Sequence, residues 1–304
     1  MSQPSAALDR VAVAPRARPR RRALRPSRIA AFAFLCVAAL LFCVPLYVVV
    51  VTSFKSMDEI RLGRTFDLPH VWTLDAWTSA WGQACSGLSC GGVSVGFVNS
   101  MWILIPSLVL SIAFAMVTGY AASLWRVKWA NGFLFALFIC SFVPFQIIMY
   151  PLIRATAVLS VYGTTFGVAL IHVVLSMPIL TLIFRNYFMS IPQELIAAAM
   201  IDSGSFWRIF FEIVLPMSGN ILIVALILMV TGVWNDFLVG LTFGAQGAQP
   251  MTVILNNIAL TTTGGNNYAT DMAAALMTAA PPLIIYLLLG KFFVQGVTAG
   301  AIKG

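Results

Sequence analysis

The chain has 304 residues, of which 60% are hydrophobic and 9% charged, and its mean hydropathy is +0.94. Soluble domains carry about a quarter charged residues, so this composition excludes a soluble enzyme, a secreted disulfide scaffold and a disordered polypeptide, and puts the chain in a bilayer. The formal net charge of +8 does not signal nucleic acid, because eight of the 18 Lys and Arg lie between Arg10 and Arg28, ahead of the first apolar run, where such clusters set membrane orientation.

Residues 1–28, rich in Pro, Ala and Arg, read as a basic, disordered cytoplasmic tail. Beyond it, crossing about 30 Å of hydrocarbon takes about 20 apolar residues. Six segments qualify: Ile29–Phe54, Phe97–Trp125, Gly132–Ile153, Thr164–Phe184, Met217–Phe243 and Met272–Val294. The fold class expected is therefore an all-α integral membrane protein with six transmembrane helices. Arg20, Arg21 and Arg22 hint at an export signal, but the run that follows is much longer than a signal-peptide core of about 7–15 residues, so the first span is read as retained. Lys and Arg total 14 on one side of the alternating loops and 4 on the other. The positive-inside rule then places both termini in the cytoplasm, segment 55–96 outside and segment 185–216 inside. Residues 29–304 form one membrane domain in this reading.

Cys36, Cys43 and Cys140 fall within spans, as small apolar fillers. Cys85 and Cys90 lie in the outer loop, separated by Ser-Gly-Leu-Ser, a spacing that permits a tight turn; in an oxidising compartment they are either bridged or two free thiols. Motifs for chemistry are lacking: Gly290-Lys291 is followed by Phe292, so there is no P-loop, and neither His-Glu-x-x-His nor Gly-x-Ser-x-Gly occurs. The two histidines are His70 and His172, and His172, without an acidic or Cys neighbour, reads as a packed polar residue. No metal or cofactor is expected on this chain, and transport, anchoring or structure remain.

The inside segment 185–216 carries the most information. Pro192 can open a helix with Glu194 in its first, dipole-favoured turn. The Ala-rich run Glu194–Ile201 continues it, Asp202-Ser203-Gly204-Ser205 breaks it, and Ser203 or Ser205 can cap a second short helix that closes at Pro216. Small and apolar surface offered to the cytoplasm suits either a protein partner or packing beneath the bundle.

This segment resembles the cytoplasmic "EAA" loop of ABC-importer permeases of the carbohydrate, maltose-type branch. That branch's pattern is approximately Ile-Pro-x-Glu-Leu-x-Glu-Ala-Ala-x-Ile-Asp-Gly-Ala, with Phe and then Ile-x-Leu-Pro downstream. Ile191, Pro192, Glu194, Leu195, Ala198, Ala199, Ile201, Asp202, Phe210, Ile213, Leu215 and Pro216 match it. Ala197 departs from the family's Glu, and Ser203 stands at its Gly, with Gly204 one place later. Trp234-Asn235-Asp236-Phe237 resembles the family's Trp-Asn-[Glu/Asp]-Phe, and the ending Thr298–Gly304 looks like its usual C-terminus. Cys85–Cys90 followed by Gly96-Phe97-Val98-Asn99-Ser100 is similar, more loosely, to glucose/mannose permeases.

The resemblance implies a permease subunit in a bacterial inner membrane. It would pair with a second, different permease in a heterodimer and sit on two ATPase subunits that bind the ATP and Mg. A periplasmic binding protein would deliver a sugar, ranked first as glucose or a related hexose. Glu194, Ala198, Ala199, Asp202, Ser203, Gly204, Ile213, Leu215 and Pro216 would then belong to the ATPase-coupling unit, with Asp202 capping the turn or pairing with a basic ATPase residue.

Trp234, Asn235 and Asp236 are the candidate substrate-pathway residues, since an acidic group inside a span is costly unless used, although interhelical hydrogen bonds draw on the same residue types. Asn and Asp accept from sugar hydroxyls, and Trp234 can stack on a sugar face. Ser111, Ala115, Gly119 and Ser123 form a small-xxx-small stripe that suits close helix packing. Pro281-Pro282 is read as a bend in the last span. Asn256, Asn257 and the loop 261–267 face outside, towards a binding protein. The alternative to an importer is a secondary transporter or channel, for which the paired broken helices of an internal repeat are not apparent in the sequence.

Overall fold

The computed structural model describes residues 26–87, 89–125, 127–202, 204–245, 247–261 and 267–301. The basic tail to Arg25, Ser203, loop residues 262–266 and the last three residues lie outside this set. The contacts divide the chain at Tyr47. Up to that point it is the first part of α1 (Pro26–Thr52), which carries no charge after Arg28 and leaves most side chains exposed, Phe34 by 73% and Phe42 by 83%. Such apolar exposure over this length is what a lipid-facing helix requires.

From Val48 onward the chain forms the second unit. Segment 55–96 is not a bare loop: α2 (Met57–Arg61) is capped by Ser56, whose hydroxyl accepts from the Glu59 N–H, and α3 (Asp75–Gly82) follows. Buried Lys55 donates from Nζ to the Arg64 carbonyl at 2.6 Å, and Glu59 Oε1 accepts from the His70 and Val71 N–H groups at 3.1 and 3.4 Å. A hairpin of β1 (Cys85–Ser86) and β2 (Ser89–Cys90) pairs antiparallel with Cys85 opposite Cys90, and the two sulfurs are bonded.

The centre of this unit is the pairing of α4 (Gly92–Leu124) with α7 (Thr165–Met189). In a bilayer apolar area gives helices little reason to associate, so close backbone approach and polar bonds must do it. Ser107, Ser111, Ala115 and Gly119 of α4 are all buried at four-residue spacing. A Cβ on Gly119 would lie 2.9 Å from the Arg185 nitrogen and 3.0 Å from the Phe184 Cβ, so only glycine permits this approach. Ser176 Oγ donates to Ser111 Oγ at 2.9 Å, and Ser107 Oγ reaches the Ala169 carbonyl at 3.3 Å. The small-residue stripe is a packing seam, running one turn earlier than the sequence suggested; Ser123 is only half-buried.

Two expected spans are broken. Gly132–Ile153 is not one helix: α5 (Ala130–Cys140) and α6 (Phe145–Val158) meet at 106° across Ser141–Pro144. Pro144 has no N–H to donate and drives Val143 out of the helical region. Both sides are apolar, α5 more so than α6, so a sliding window passes over the break. Met217–Phe243 is likewise interrupted, with α11 (Gly219–Trp234) ending at Asn235 and α12 (Leu238–Phe243) resuming after Phe237. Among the described residues four helices are long and apolar enough to cross a membrane alone, and up to six spans result if α5 with α6, and Phe206–Met217 with α11, each count as one.

The connecting helices are α8 (Gln193–Asp202), α9 (Phe206–Ile209) and α10 (Leu215–Met217), with a π-helical turn at Phe210–Val214. The stretch from Gly244 to Asp271 contains α13 (Met251–Leu260), whose Met251, Ile254 and Ile258 are buried. Asn99 of α4 donates from Nδ2 to the Gly247 and Gln249 carbonyls at 3.0 Å each, and Ser100 Oγ accepts from the Met251 N–H at 2.9 Å. The last helix, α14 (Tyr268–Ala301), runs unbroken through Pro281 and Pro282. Pro282 has no N–H for the Thr278 carbonyl four residues earlier. That carbonyl instead accepts from Trp234 Nε1 at 2.9 Å, which ties α11 to α14 at the position where the proline left an orphan.

Candidate functional site

The segment from Ile191 to Pro216 folds as a two-faced helical elbow. Ile191, Ile196, Ala199, Ile209, Phe210 and Val214 point into the protein, whereas Glu194, Ala197, Ala198, Ile201 and Asp202 are exposed, Ile201 by 87%. The turn uses Gly204 at φ +58°, a left-handed conformation that costs a side-chain-bearing residue about 1–2 kcal/mol. The glycine displaced by one position relative to the family pattern is thus where the backbone needs it. Ser203, the other departure, lies outside the described residues. Of the two serines expected to cap the second helix, Ser205 does so in the structure, accepting from the Arg208 N–H.

The elbow is anchored from above by aromatic packing. Tyr120 of α4, fully buried, donates from its hydroxyl to the Phe206 carbonyl at 3.2 Å, and its ring lies 4.6 Å from Phe206 and 5.4 Å from Phe210. Trp125 stands 5.2 Å from Phe206, and Tyr187 donates to the Met217 carbonyl at 2.5 Å. On the open side Trp207 and Phe211 stack, and Arg208 pairs with Glu212 at 3.1 Å, an exposed pair worth little by itself. Ile213 and Leu215 are half-buried and Pro216 is exposed. The packing and partner readings of this segment therefore describe its two faces. The π-helical turn, in which the Leu215 N–H donates to the Phe210 carbonyl, leads into Pro216, and the whole arm Phe206–Met217 meets α11 at 78°.

At the far end of α11, the three pathway candidates part company. Trp234 is 1% exposed, its indole N–H is used by Thr278 and its ring edge meets Phe97 at 5.8 Å, so it cannot stack on a sugar. That expectation is corrected: the helix ends at this residue, and the break sends Trp234 into the bundle and its two successors out of it. Asp236 accepts from the Val239 N–H at 3.0 Å and so begins α12, while its own carbonyl accepts from Thr252 Oγ1 at 2.8 Å. Asn235 and Asp236 line an open cavity of about 510 Å³ between α7 and α11, together with His172, Leu175, Leu228 and Thr231. A second hollow of about 320 Å³ continues from His172 and Ser176 to Ile179 and Leu180. His172 therefore belongs to a concavity, which nothing in its sequence neighbourhood indicated.

Near the hairpin, a cavity of about 640 Å³ is lined by Asn99, Gln249, Asn257 and Thr261, and the Gly87 N–H donates to Thr261 Oγ1 at 3.3 Å. Among the described residues no three His, Cys, Asp or Glu side chains converge as a metal site requires.

The family model described as "Binding-protein-dependent transport system inner membrane component" matches residues 94–298, a stretch that includes both the elbow and the cavity. The chain belongs to this family. Among its relatives is the arabinooligosaccharides transport system permease protein AraQ of Halalkalibacterium halodurans, 34% identical over 276 residues, which cover 90% of this chain and 94% of that protein. The osmoprotective compounds uptake permease protein GgtD of Synechocystis is 32% identical, covering 68% of this chain and 70% of its own. A solved bacterial ABC transporter involved in the import of the acidic polysaccharide alginate shares the fold, with a TM-score of 0.71 over 87% of this chain and 95% of that one, at 19% identity. This inner-membrane transport component thus has the fold its sequence resemblance implied, and the alternative of a secondary transporter or channel falls.

Proposed function

We propose that this chain is one of two permease subunits of an ATP-driven importer for oligosaccharides, with residues 191–216 as its coupling unit. The observation that carries the reading is the two-faced elbow: one face is fixed to α4 and α7 by Tyr120 and Tyr187, and the other offers small and apolar side chains that the described residues leave exposed. In this reading both termini are cytoplasmic, and the exposed Ala198 and Ile201 of α8 seat in a cleft of an ATPase subunit that carries ATP and Mg, while Ala199, which the resemblance assigned to the same surface, packs inward beneath them. Closure of two such ATPases pushes α8, and the arm Phe206–Met217 passes the motion directly into α11, which lines the cavity at Asn235 and Asp236. A second permease would close the open side of that cavity, and an external binding protein would load it. Ala197 removes one charge from the coupling unit, leaving Glu194, Asp202 and the Arg208-paired Glu212 as its acidic groups.

On substrate, the name of AraQ favours an oligosaccharide over glucose, and the hexose ranking rests only on the looser likeness around Cys85–Cys90 and Gly96–Ser100. The test is co-purification from membranes, with and without Glu194–Pro216 replaced by a neutral linker of equal length. An ATPase and a second permease recovered only with the intact segment support the proposal; a chain recovered alone in both cases overturns it. Stimulation of ATP hydrolysis by binding protein loaded with arabino-oligosaccharide, and not with glucose, supports the substrate class, and the reverse overturns that class alone.

A further inference from the structure

His172 sits in the middle of α7 and is 8% exposed, yet its ring makes no hydrogen bond among the described residues. Its ring nitrogens are not among the fully enclosed polar atoms that lack a partner, so they are open to the space beside the helix. What remains open of the ring faces the two hollows between α7 and α11, both of which it lines. Across the larger of them stand Asn235, whose carboxamide also makes no hydrogen bond among the described residues, and Asp236, whose carboxylate is only partly used by the Val239 N–H. A neutral imidazole offers one donor and one acceptor, a carboxamide two of each, and a carboxylate acceptors alone. Leu175 and Leu228 supply the apolar part of the wall. An apolar wall with a few convergent polar groups of both kinds suits a neutral ligand carrying many hydroxyls, each able to donate and accept at once.

We infer that His172, acting with Asn235 and Asp236, is a specificity-determining residue that hydrogen-bonds sugar hydroxyls during passage. This inference rests on the importer reading above. The partner for the accessible ring nitrogens comes from the cargo, and a polar side chain of the second permease is the competing source.

The test uses the complete importer, with its second permease, ATPases and binding protein, in proteoliposomes. His172→Leu removes both ring nitrogens at comparable bulk, and His172→Gln keeps a donor and an acceptor. The expected result is an initial uptake rate of labelled arabino-oligosaccharide about tenfold lower in His172→Leu, the worth of one hydrogen bond of about 1.4 kcal/mol, and within about threefold of wild type in His172→Gln. Recovery of the second permease should be the same in all three. A third variant, His172→Cys, in a background with Cys36, Cys43 and Cys140 replaced by Ser, should react with a hydrophilic maleimide and be protected severalfold by transported sugar.

Equal uptake by His172→Leu and wild type overturns the inference. So does a His172→Gln as impaired as His172→Leu, a thiol not protected by sugar, or loss of the second permease from the His172→Leu complex, which would mean that the ring meets that subunit. Failure of the wild-type complex to take up any oligosaccharide would instead sink the importer reading, a different result from any of these.

Discussion

Replacing Trp234 by Phe should destabilise the protein through one identifiable atom, the carbonyl of Thr278. Phenylalanine keeps most of the ring and its edge contact with Phe97, so the main loss is the indole N–H that reaches Thr278 at 2.9 Å. Pro282 cannot serve that carbonyl, and in a buried, lipid-surrounded setting no water replaces the donor. A buried acceptor left unsatisfied costs about 1–3 kcal/mol. The second arm of the experiment is Pro282→Ala, which restores an N–H four residues after Thr278 and lets α14 close its own hydrogen bond. In that background Trp234→Phe should cost markedly less, with an interaction term of about 1 kcal/mol or more in the double-mutant cycle. The assay is the thermal midpoint of the detergent-solubilised protein, read by fluorescence-detected size exclusion for wild type, both single variants and the double variant. Additive effects, with Trp234→Phe equally costly in both backgrounds, would refute the reasoning.

Tyr120→Phe should lower stability by about 1 kcal/mol through loss of the bond to Phe206, whereas Tyr120→Ala, which also removes a ring packed on Phe206 and Phe210, should cost about 3–5 kcal/mol and lower the sugar transported per ATP hydrolysed in the reconstituted complex; an unchanged ratio in Tyr120→Ala would count against the elbow as coupling unit. Gly119→Val should force α4 and α7 apart, because the added Cβ alone meets backbone at 2.9 Å, lowering the thermal midpoint by the equivalent of about 1–3 kcal/mol, and a variant as stable as wild type would show that the seam is looser than described. Asp236→Ala should lose the cap on α12, at about 0.5–2 kcal/mol, while Asp236→Asn keeps an acceptor for the Val239 N–H and should recover most of that stability in the same thermal assay.

Much of the architecture could be read from the residues because bilayers impose length and polarity on every segment that crosses them. The runs that became α1, α4, α7 and α14 are long enough to announce themselves. Breaks inside apolar runs were illegible for the same reason: hydropathy sums over Ser141–Pro144 and over Asn235–Phe237 without noticing a change of direction, although Pro144 and the capping Asp236 both signal an interruption. The elbow's fixed spacing identified the family, but which side chains of 191–216 turn inward depended on Tyr120 of α4, far away in sequence. Trp234 was misjudged, whereas His172 is packed as read but also lines a cavity the sequence did not show. The first was taken for cargo-facing because Asn235 and Asp236 follow it, and the second for packed because nothing polar is near it in the chain; the cavity that joins His172 to Asp236 exists only once α7 and α11 are side by side. The apolar 3–4 spacing of Met251, Ile254, Leu255 and Ile258 was a legible sign of α13.

The wide turn at Phe210–Val214 has a mechanical consequence. Pro216 has no N–H, and in a regular α-helix its ring would collide with the Glu212 carbonyl, so the extra residue per turn is what lets the arm continue through Leu215 and Pro216 into α11. Tightening this segment to an ordinary helical register would bring the collision back. The corner therefore cannot absorb a thrust by slipping one residue, as a helix with a free donor at that position can. In the importer proposed above it would act as a bracket: a displacement delivered to Phe206 would emerge as a tilt of α11, and the distance from the corner to Asn235 would set how far the polar end of the cavity swings.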